Sequence, residues 1–303
     1  MTENSNSSLF QNIPKIFYCY WDGNTLPFLN YLTVPTFHRY NPDWEIRLYV
    51  PKFRYISEPT WNTGEQVGAI KARCYFQQLK DLEYVQVVEV DLQEIGFYND
   101  VHEVHKSDYL RYYMMHQHGG VWSDLDILYT KPITEISNCR RFRNEQGTDT
   151  ILIKDENEGY FPVGLLIASA GNDFYKFFSE RTRDNYQNGQ YQSIGIRMAK
   201  NTFMSYLKAR NKDKLRTSKF TVCSINSYLP LNWKKIKDLF DNRNEKLHDT
   251  SIGIHWSYGS EYARRYIEFR DKNMTQVDTV YNGSIVDTIV QANLEHLGEM
   301  KIN

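Results

Sequence analysis

Residues 105–133 read HKSDYLRYYMMHQHGGVWSDLDILYTKPI, and the expected fold is organised around this stretch. Ser107 is a residue type that caps helix N-termini, and Gly119-Gly120 is a pair that ends helices, so a helix is predicted between them. The β-branched and apolar residues that follow predict a short strand over 121–128. The stretch therefore predicts a helix that leads directly into a strand.

Four charged side chains of this stretch are placed where they could act together. Asp108 and Arg111 are three residues apart and share one face of the predicted helix. Asp124 and Asp126 alternate along the predicted strand, so they project to the same side, about 7 Å apart at Cα. Two carboxylates at that separation suit Mg²⁺ or Mn²⁺, which share their coordination shell between protein and phosphate oxygens. An isolated Asp-x-Asp is also typical of a solvated turn.

The whole stretch resembles the SDxxRY…GGxYxDxD block of the nucleotide-sugar transferases with a DXD-containing sugar-binding region. That family includes initiating mannosyltransferases and capsular-polysaccharide transferases, and glucosylating bacterial toxins are more distant relatives. Trp122 stands where the family usually has Tyr, which keeps an aromatic residue there. The other matching positions are Ser107, Asp108, Arg111, Tyr112, Gly119, Gly120, Asp124 and Asp126.

This resemblance implies a role for each polar residue of the block. Asp126 would bind a divalent ion, and Asp124 would bind the ion or the ribose. Asp108 and Arg111 would hold the donor sugar, with Arg111 also near phosphate. Trp122 would belong to the nucleotide-binding set.

The start of the chain predicts a βαβ unit and resembles the same family. Residues 13–23 and 44–50 have strand patterns, and 28–40 lies between them with a helix pattern, which favours a mostly parallel sheet. The family has IPKIIHxIWxG and NPxWExxLW at these places. The resemblance implies that Trp21, with Tyr20 beside it, binds the nucleotide, and that Trp21 stacks on the base. The alternative is a core tryptophan at the end of a strand.

A third match lies at residues 253–262, GIHWSYGSEY, which resemble the H-x-W-x-x-S-W ending of the family's catalytic core. His255 and Ser260 match, and Trp256 sits one place early. The resemblance implies that His255 is a metal ligand and that Ser260 and Trp256 lie against the diphosphate. An imidazole suits Mn²⁺ better than Mg²⁺. The alternative for His255 is a core histidine beside a tryptophan.

The remaining elements are predicted from local patterns. A helix is expected over 65–82, a strand over 84–91, two strands at 151–154 and 164–169, and helices over 173–186 and 284–297. The last of these is amphipathic and would dock on the body or form a homodimer contact. The loops at 161–164 and 193–196 would lie over the donor sugar or acceptor by resemblance. Six basic residues between 208 and 219 indicate a solvated loop, or contact with an anionic acceptor or lipid surface.

Composition excludes several classes of protein. The chain has 303 residues and a net charge of −1, so no basic field favours nucleic acid as a partner. No apolar run is long enough to span a membrane, and no secretory leader is recognisable. Four scattered cysteines without C-x-x-C predict free thiols and no zinc site. These features predict a cytoplasmic protein.

The predicted fold is an α/β, GT-A-like, Rossmann-type domain with a mostly parallel or mixed sheet flanked by helices. Residues 1–12 would be a disordered lead, 13–262 the catalytic domain, and 263–303 a helical tail packed on the body. Three separated blocks match the family in the correct order, from about residue 13 to residue 262.

The predicted function is transfer of a hexose from a nucleotide-sugar to a glycan, protein or lipid-linked acceptor, with Mn²⁺ or Mg²⁺ as cofactor. A UDP-sugar is the preferred donor and GDP-mannose an alternative, and the family implies retention at the anomeric carbon. Two other classes stay open. A metal-dependent phosphohydrolase would need further acidic ligands, and a binding protein would keep the fold without turnover.

Overall fold

The computed structural model describes residues 9–22, 25–54, 70–142, 147–211, 217–228, 233–241, 243–272 and 281–296, without the side chain of Trp233. Several predictions fall partly outside these residues. They are the first eight residues of the lead, residues 65–69 of the predicted helix over 65–82, residues 212–216 of the basic segment, and residues 273–280 and 297–303 of the tail.

The strands β1 to β10 are Ile16–Tyr20, Glu45–Pro51, Val85–Val90, Gly120–Ser123, Ile127–Tyr129, Cys139–Arg141, Thr150–Lys154, Leu165–Ala168, Phe220–Ser224 and Gly253–His255. The helices α1 to α9 are Phe28–Tyr31, Thr33–Tyr40, Phe76–Lys80, Glu103–Gln117, Asp173–Asn185, Ile196–Arg210, Ile236–Asp241, Glu261–Lys272 and Ile285–His296.

The main sheet confirms the predicted α/β class. Its described strands run in the order β3-β2-β1-β4-β8-β7-β9-β6. The β3-β2-β1-β4 half is parallel, whereas β8 is antiparallel to both of its neighbours and β6 is antiparallel to β9. The sheet is therefore mixed, with the Rossmann-type parallel half that the βαβ pattern predicted.

Strand β1 is buried on both faces, which explains its unbroken apolar sequence. Phe17 and Cys19 belong to one core cluster, and Tyr18 and Tyr20 to the other. Successive side chains of a strand point to opposite faces, so one strand serves two cores. A sheet covered on both faces follows directly from this pattern.

Helix α4 leads into β4 as predicted, but it begins earlier. It starts at Glu103, where His102 accepts a hydrogen bond from the amide of Val104, so Ser107 lies inside the helix. The helix ends at Gln117, and Gly119 just beyond it is left-handed with a φ of 65°. A Cβ on Gly119 would lie 2.4 Å from the backbone nitrogen of Ala170, so only glycine fits this turn.

The expectation of one strand over 121–128 is wrong. Strand β4 ends at Ser123, and Asp124 to Asp126 form a turn before β5. Strand β5 leaves the main sheet and pairs with β10 in a separate antiparallel ribbon. The physical reason is this distant partner, because a local pattern does not distinguish one strand from two that pair in different sheets.

The expectation of four free thiols is wrong for two of them. Cys139 and Cys223 are cross-strand neighbours in β6 and β9 and form a disulfide. Cys19 and Cys74 are not bonded to each other or to another cysteine. The antiparallel pairing of β6 with β9 brings the two residues together across 84 positions of sequence. A disulfide is typical of an oxidising compartment, and the cytoplasmic location that the sequence predicted stays a prediction.

The C-terminal helices share the core of the body. Apolar residues of α8 and α9 belong to the same buried cluster as Phe17 of β1. Arg270 of α8 and Asp287 of α9 form a buried ion pair that Tyr266 joins through its hydroxyl. The amphipathic stripe of α9 is thus covered within the chain, and the division at residue 262 stays a prediction. No helix of the described ranges is both long and apolar enough to cross a bilayer.

Candidate functional site

The D-x-D turn joins two groups of polar side chains, and the first is centred on Arg111. Its guanidinium lies 3.1 Å from Oδ1 of Asp108 and 3.2 Å from Oδ2 of Asp124. It also donates to the carbonyl oxygen of Val163 at 2.7 Å and to the hydroxyl of Ser107 at 3.1 Å. Arg111 is only 4% exposed. One buried cation therefore holds α4, the D-x-D turn and the loop before β8 together.

Trp122 supports the same group from inside the protein. Its side chain is fully buried, and its indole nitrogen donates to Oδ1 of Asp124 at 3.0 Å. The guanidinium of Arg111 lies 5.6 Å from the Trp122 ring centroid. Both oxygens of Asp124 are thus engaged by protein donors. Trp122 positions Asp124 in this structure, and its predicted contact with nucleotide stays a prediction.

The second group is centred on Asp126. Its Oδ1 lies 2.9 Å from Nε2 of His255, and its Oδ2 accepts the backbone N–H of Tyr258 at 3.0 Å. The backbone of Trp256 donates to the carbonyl oxygen of Asp126. Pairing of β5 with β10 aligns His255 with Ile127 and so fixes this approach. The structure brings the predicted metal residues Asp126 and His255 together.

The surroundings set different acidities for the three carboxylates. Burial raises the pKa of Asp108 to about 7, although Arg111 opposes the shift. Burial also raises the pKa of Asp124 against the effect of Arg111. For Asp126, burial acts in the same direction, but the His255 imidazole and the Tyr258 amide outweigh it and lower the pKa. Asp126 is therefore the acid of this site that is most readily ionised.

Asp126 and His255 fit a divalent cation. Oδ1 of Asp126 is buried and receives no hydrogen bond of acceptable geometry, even though the imidazole nitrogen is close. A carboxylate oxygen and an imidazole nitrogen are both ligands of Mn²⁺. Across the described part of the chain, no three His, Cys, Asp or Glu side chains are grouped to hold an ion unaided. Phosphate oxygens and water would complete such a shell, as is usual for Mg²⁺ and Mn²⁺ at phosphate sites.

An aromatic group borders the Asp126 side of the site. Trp21 is partly exposed and meets Tyr258 edge to face, with 6.1 Å between ring centroids. Tyr258 in turn meets the fully buried Trp256 at the same separation. The indole N–H groups of Trp21 and Trp256 are buried without a hydrogen-bond partner. Trp21 is therefore partly accessible beside the Asp126 group, and its predicted stacking on the base stays a prediction.

Tyr20 and Ser260 have local roles in this structure. The hydroxyl of Tyr20 donates to Asp22 at 3.2 Å, and the ring is buried. The hydroxyl of Ser260 accepts the amide of Ala263 at 3.2 Å, just before α8 begins at Glu261, and so caps that helix. Their predicted contacts with the nucleotide stay predictions.

A buried ion pair that the sequence patterns did not predict lies beside Trp21. Nζ of Lys106 lies 2.7 Å from Oδ2 of Asp22, and neither side chain is more than 3% exposed. Burial raises the pKa of the nearby Glu103, and the charge of Asp22 adds to this rise. Lys106 was the residue from which this pair could have been predicted, because a lysine on the buried face of a helix needs a charged partner.

Two glycines bring loops against the acids. A Cβ on Gly164 would lie 3.2 Å from Oδ2 of Asp124, and a Cβ on Gly195 would lie 3.0 Å from Oδ2 of Asp108. Gly195 immediately precedes α6, and Ile194 accepts a hydrogen bond from the hydroxyl of Tyr112. The structure therefore places the loops at 161–164 and 193–196 beside Asp124 and Asp108, and their predicted contact with the donor sugar or acceptor stays a prediction.

Residues 32–143 match the sequence model of the glycosyltransferase sugar-binding region containing a DXD motif. This confirms the resemblance drawn from the SDxxRY…GGxWxDxD block. The DXD sugar-binding region includes Asp108, Arg111, Asp124 and Asp126, and it ends before Val163 and His255. No curated protein matches the sequence.

Solved structures similar to this chain include the following three. The PaToxG glycosyltransferase has a TM-score of 0.46 and 14% identity, over 70% of this chain and 76% of its own. The galactosyltransferase LgtC, in complex with donor and acceptor sugar analogues, has a TM-score of 0.42 and 15% identity, over 87% of this chain and 98% of its own. A glycosyltransferase involved in glycosylation of the major capsid of PBCV-1 has a TM-score of 0.41 and 10% identity, over 84% of this chain and 100% of its own.

Proposed function

We propose that this protein is a metal-dependent glycosyltransferase that uses a nucleotide-sugar donor. The observation that carries the proposal is the meeting of two groups at the D-x-D turn. Arg111 binds Asp108 and Asp124 on one side, and Asp126 meets His255 on the other. These five residues come from three parts of the chain, namely α4, the D-x-D turn and β10, and all but His255 lie within the DXD sugar-binding region.

In the proposed reaction, the bond between the anomeric carbon of the donor sugar and the diphosphate oxygen breaks. A bond from an acceptor oxygen to that carbon forms, the acceptor hydroxyl gives up its proton, and the nucleoside diphosphate leaves with the bonding electrons. Asp126 and His255 would hold the divalent ion, which supplies Lewis-acid stabilisation of the charge on the leaving diphosphate.

Asp108 would contact the donor sugar, since its Oδ2 faces the loop at Gly195 and its Oδ1 is held by Arg111. Arg111 would fix the positions of Asp108 and Asp124, and its direct contact with the donor stays part of the proposal. Positioning of this kind matters because small misplacements of a reacting group cost large factors in rate.

Trp21 would stack on the base of the nucleotide. A UDP-sugar is the donor that we propose, with GDP-mannose as the alternative. Mn²⁺ is proposed over Mg²⁺ because an imidazole stands beside Asp126. Retention at the anomeric carbon is proposed from the family resemblance, and no nucleophile is assigned. The acceptor would be a glycan, a protein or a lipid-linked saccharide.

The deciding experiment is a panel of nucleotide-sugars incubated with the full chain and Mn²⁺. We expect one donor to release free nucleoside diphosphate slowly without acceptor, and Asp126→Ala to abolish this release. Asp81→Asn, an exposed change far from the site, is the matched control and should retain it. Release of a nucleoside monophosphate and a sugar phosphate would instead identify a phosphohydrolase. Donor binding without release under any condition would identify a binding protein.

A further inference from the structure

A cavity lies at the far edge of the main sheet, away from the D-x-D turn. Its volume is about 550 Å³, within the range of small-molecule sites. Edge strand β6 provides Arg140 and Arg141, the end of β7 provides Lys154, and α6 provides Lys200. The lining that the structure describes includes these four cations and no carboxylate.

The rest of the lining is apolar. Phe161 and Phe203 pack at 4.7 Å between ring centroids, and Phe142 meets Phe203 edge to face at 6.0 Å. Met204 is 55% exposed, one of the few large hydrophobic residues on the described surface. Val222 completes the floor. The cavity thus combines an apolar floor with a cationic rim.

Two connections join this cavity to the candidate active site. Phe161 is two residues before Val163, whose carbonyl oxygen accepts a hydrogen bond from Arg111. Helix α6 begins beside Asp108 at Gly195 and carries Lys200 and Met204 in its first three turns. At 1.5 Å of rise per residue, these side chains lie roughly 8–14 Å along the helix from Gly195. An acceptor seated in the cavity could therefore reach the site.

We propose that this cavity binds the acceptor, and that the acceptor is an anionic amphiphile with a phosphate group next to an apolar chain. The role of this ligand as the acceptor rests on the proposed function. Its binding in the cavity does not depend on that function. The phosphate would lie among Arg140, Lys154 and Lys200, because guanidinium and ammonium groups are strong phosphate donors. The apolar chain would cover the phenylalanines and Met204.

Other occupants fit the lining less well. An acidic glycan would match the cations but would leave Met204 and the aromatic floor without an apolar partner. A neutral hydrophobic ligand would cover the floor and leave the cations of the rim without an anion, so their charge would contribute nothing to binding. The phosphate and the chain are therefore required together.

The test measures binding of decyl phosphate to the full-length protein by calorimetry, without donor or metal. We expect saturable binding that is tighter than for inorganic phosphate or for a neutral decyl glycoside. Arg140→Gln with Lys200→Gln should weaken it at least about tenfold, since two charged contacts are lost. Met204→Ser should weaken it about threefold through lost apolar contact. Lys176→Gln, an exposed cation on α5, is the matched control.

The same variants are tested for binding of nucleoside diphosphate with Mn²⁺, which they should leave unchanged. No saturable binding of decyl phosphate, equal binding of inorganic phosphate, or an unaffected double variant would each overturn the proposal. Tighter competition by an acidic peptide than by decyl phosphate would also overturn it. Failure of donor turnover with intact decyl phosphate binding would count against the proposed function instead.

Discussion

Nε2 of His255 lies 2.9 Å from Oδ1 of Asp126, so two residues from distant parts of the chain meet at one point. The β5–β10 ribbon creates this contact, and the amide of Tyr258 holds the other oxygen of Asp126. Because Oδ1 is buried and has no hydrogen bond, it is available to a cation that the imidazole also faces. The pair thus links the DXD sugar-binding region to the end of the proposed catalytic core.

The first prediction concerns this pair. His255→Ala should raise the Mn²⁺ concentration needed for half-maximal nucleotide binding by at least about tenfold, since the ion loses one of its protein ligands. Calorimetric titrations of UDP at a series of Mn²⁺ concentrations measure the effect. His248→Ala removes an exposed imidazole and should change nothing. Equal Mn²⁺ dependence in His255→Ala and the unmodified protein would show that His255 is only a packing residue.

The second prediction concerns Arg111. Arg111→Lys keeps the charge but loses the planar donors that bind Asp108, Asp124 and Val163 together. We expect turnover to fall severely, and the free energy of unfolding to fall by about 1.5–3 kcal/mol, as for a lost hydrogen bond to a charged group. Steady-state kinetics and urea unfolding measure the two effects.

Ser107→Ala is the matched control for Arg111, because it removes only one of the contacts of the guanidinium. It should retain most of the turnover and most of the stability. Full turnover in a folded Arg111→Lys protein would exclude a positioning role for the guanidinium.

The parallel half of the sheet was predictable from sequence because its signals are local. The β1–β2 unit has an apolar strand, a helix pattern and a second strand within about 40 residues, and the right-handed crossover rule then fixes the pairing. Gly119 and Gly120 likewise ended the helix as predicted, because the chain must turn there through left-handed backbone.

The features that sequence reasoning missed depend on distant partners. The D-x-D turn differs from a strand only because β5 pairs with β10. The buried partner of Lys106 is Asp22, from the end of the first strand. The disulfide depends on the pairing of β6 with β9. Within the site, family resemblance placed His255 near Asp126, whereas residue spacing alone predicted no contact between them.

The third prediction concerns Trp21, which is partly exposed beside Tyr258. Trp21→Ala should weaken UDP binding by about 1–3 kcal/mol, as for other stacked bases. Nucleotide binding should quench tryptophan fluorescence, and Trp21→Phe should lose the quenching but keep much of the affinity. Trp44→Phe changes a core tryptophan and should retain the quenching. Unchanged UDP affinity in a folded Trp21→Ala protein would contradict base stacking.

The fourth prediction concerns the buried pair of Lys106 and Asp22. Lys106→Met leaves a buried carboxylate without its cation, so the free energy of unfolding should fall by about 3–5 kcal/mol. Adding Asp22→Asn should restore much of the loss, because the hydroxyl of Tyr20 can still donate to the amide oxygen. Urea unfolding of both single variants and the double variant measures the coupling.

Lys237→Met is the control for the buried pair. Lys237 forms an exposed pair with Asp241 at 3.9 Å, and pairs of that kind contribute little. Additive effects of Lys106→Met and Asp22→Asn would show that the two side chains do not stabilise each other.

The last prediction concerns the disulfide between Cys139 and Cys223. Its two residues are separated by 84 positions, and closing a loop of that length lowers the entropy of the unfolded chain. The chain-entropy relation gives about 4.5 kcal/mol of stabilisation for such a loop. Reduction should therefore lower the urea midpoint of the unmodified protein. The double change Cys139→Ser with Cys223→Ser should lower the midpoint by a similar amount. Reductant should then have no further effect on the double variant. Cys74→Ser changes an exposed cysteine outside the disulfide and should leave the response to reductant intact. Coincident midpoints with and without reductant, or four titratable thiols in the oxidised protein after unfolding, would show that the cross-link does not form.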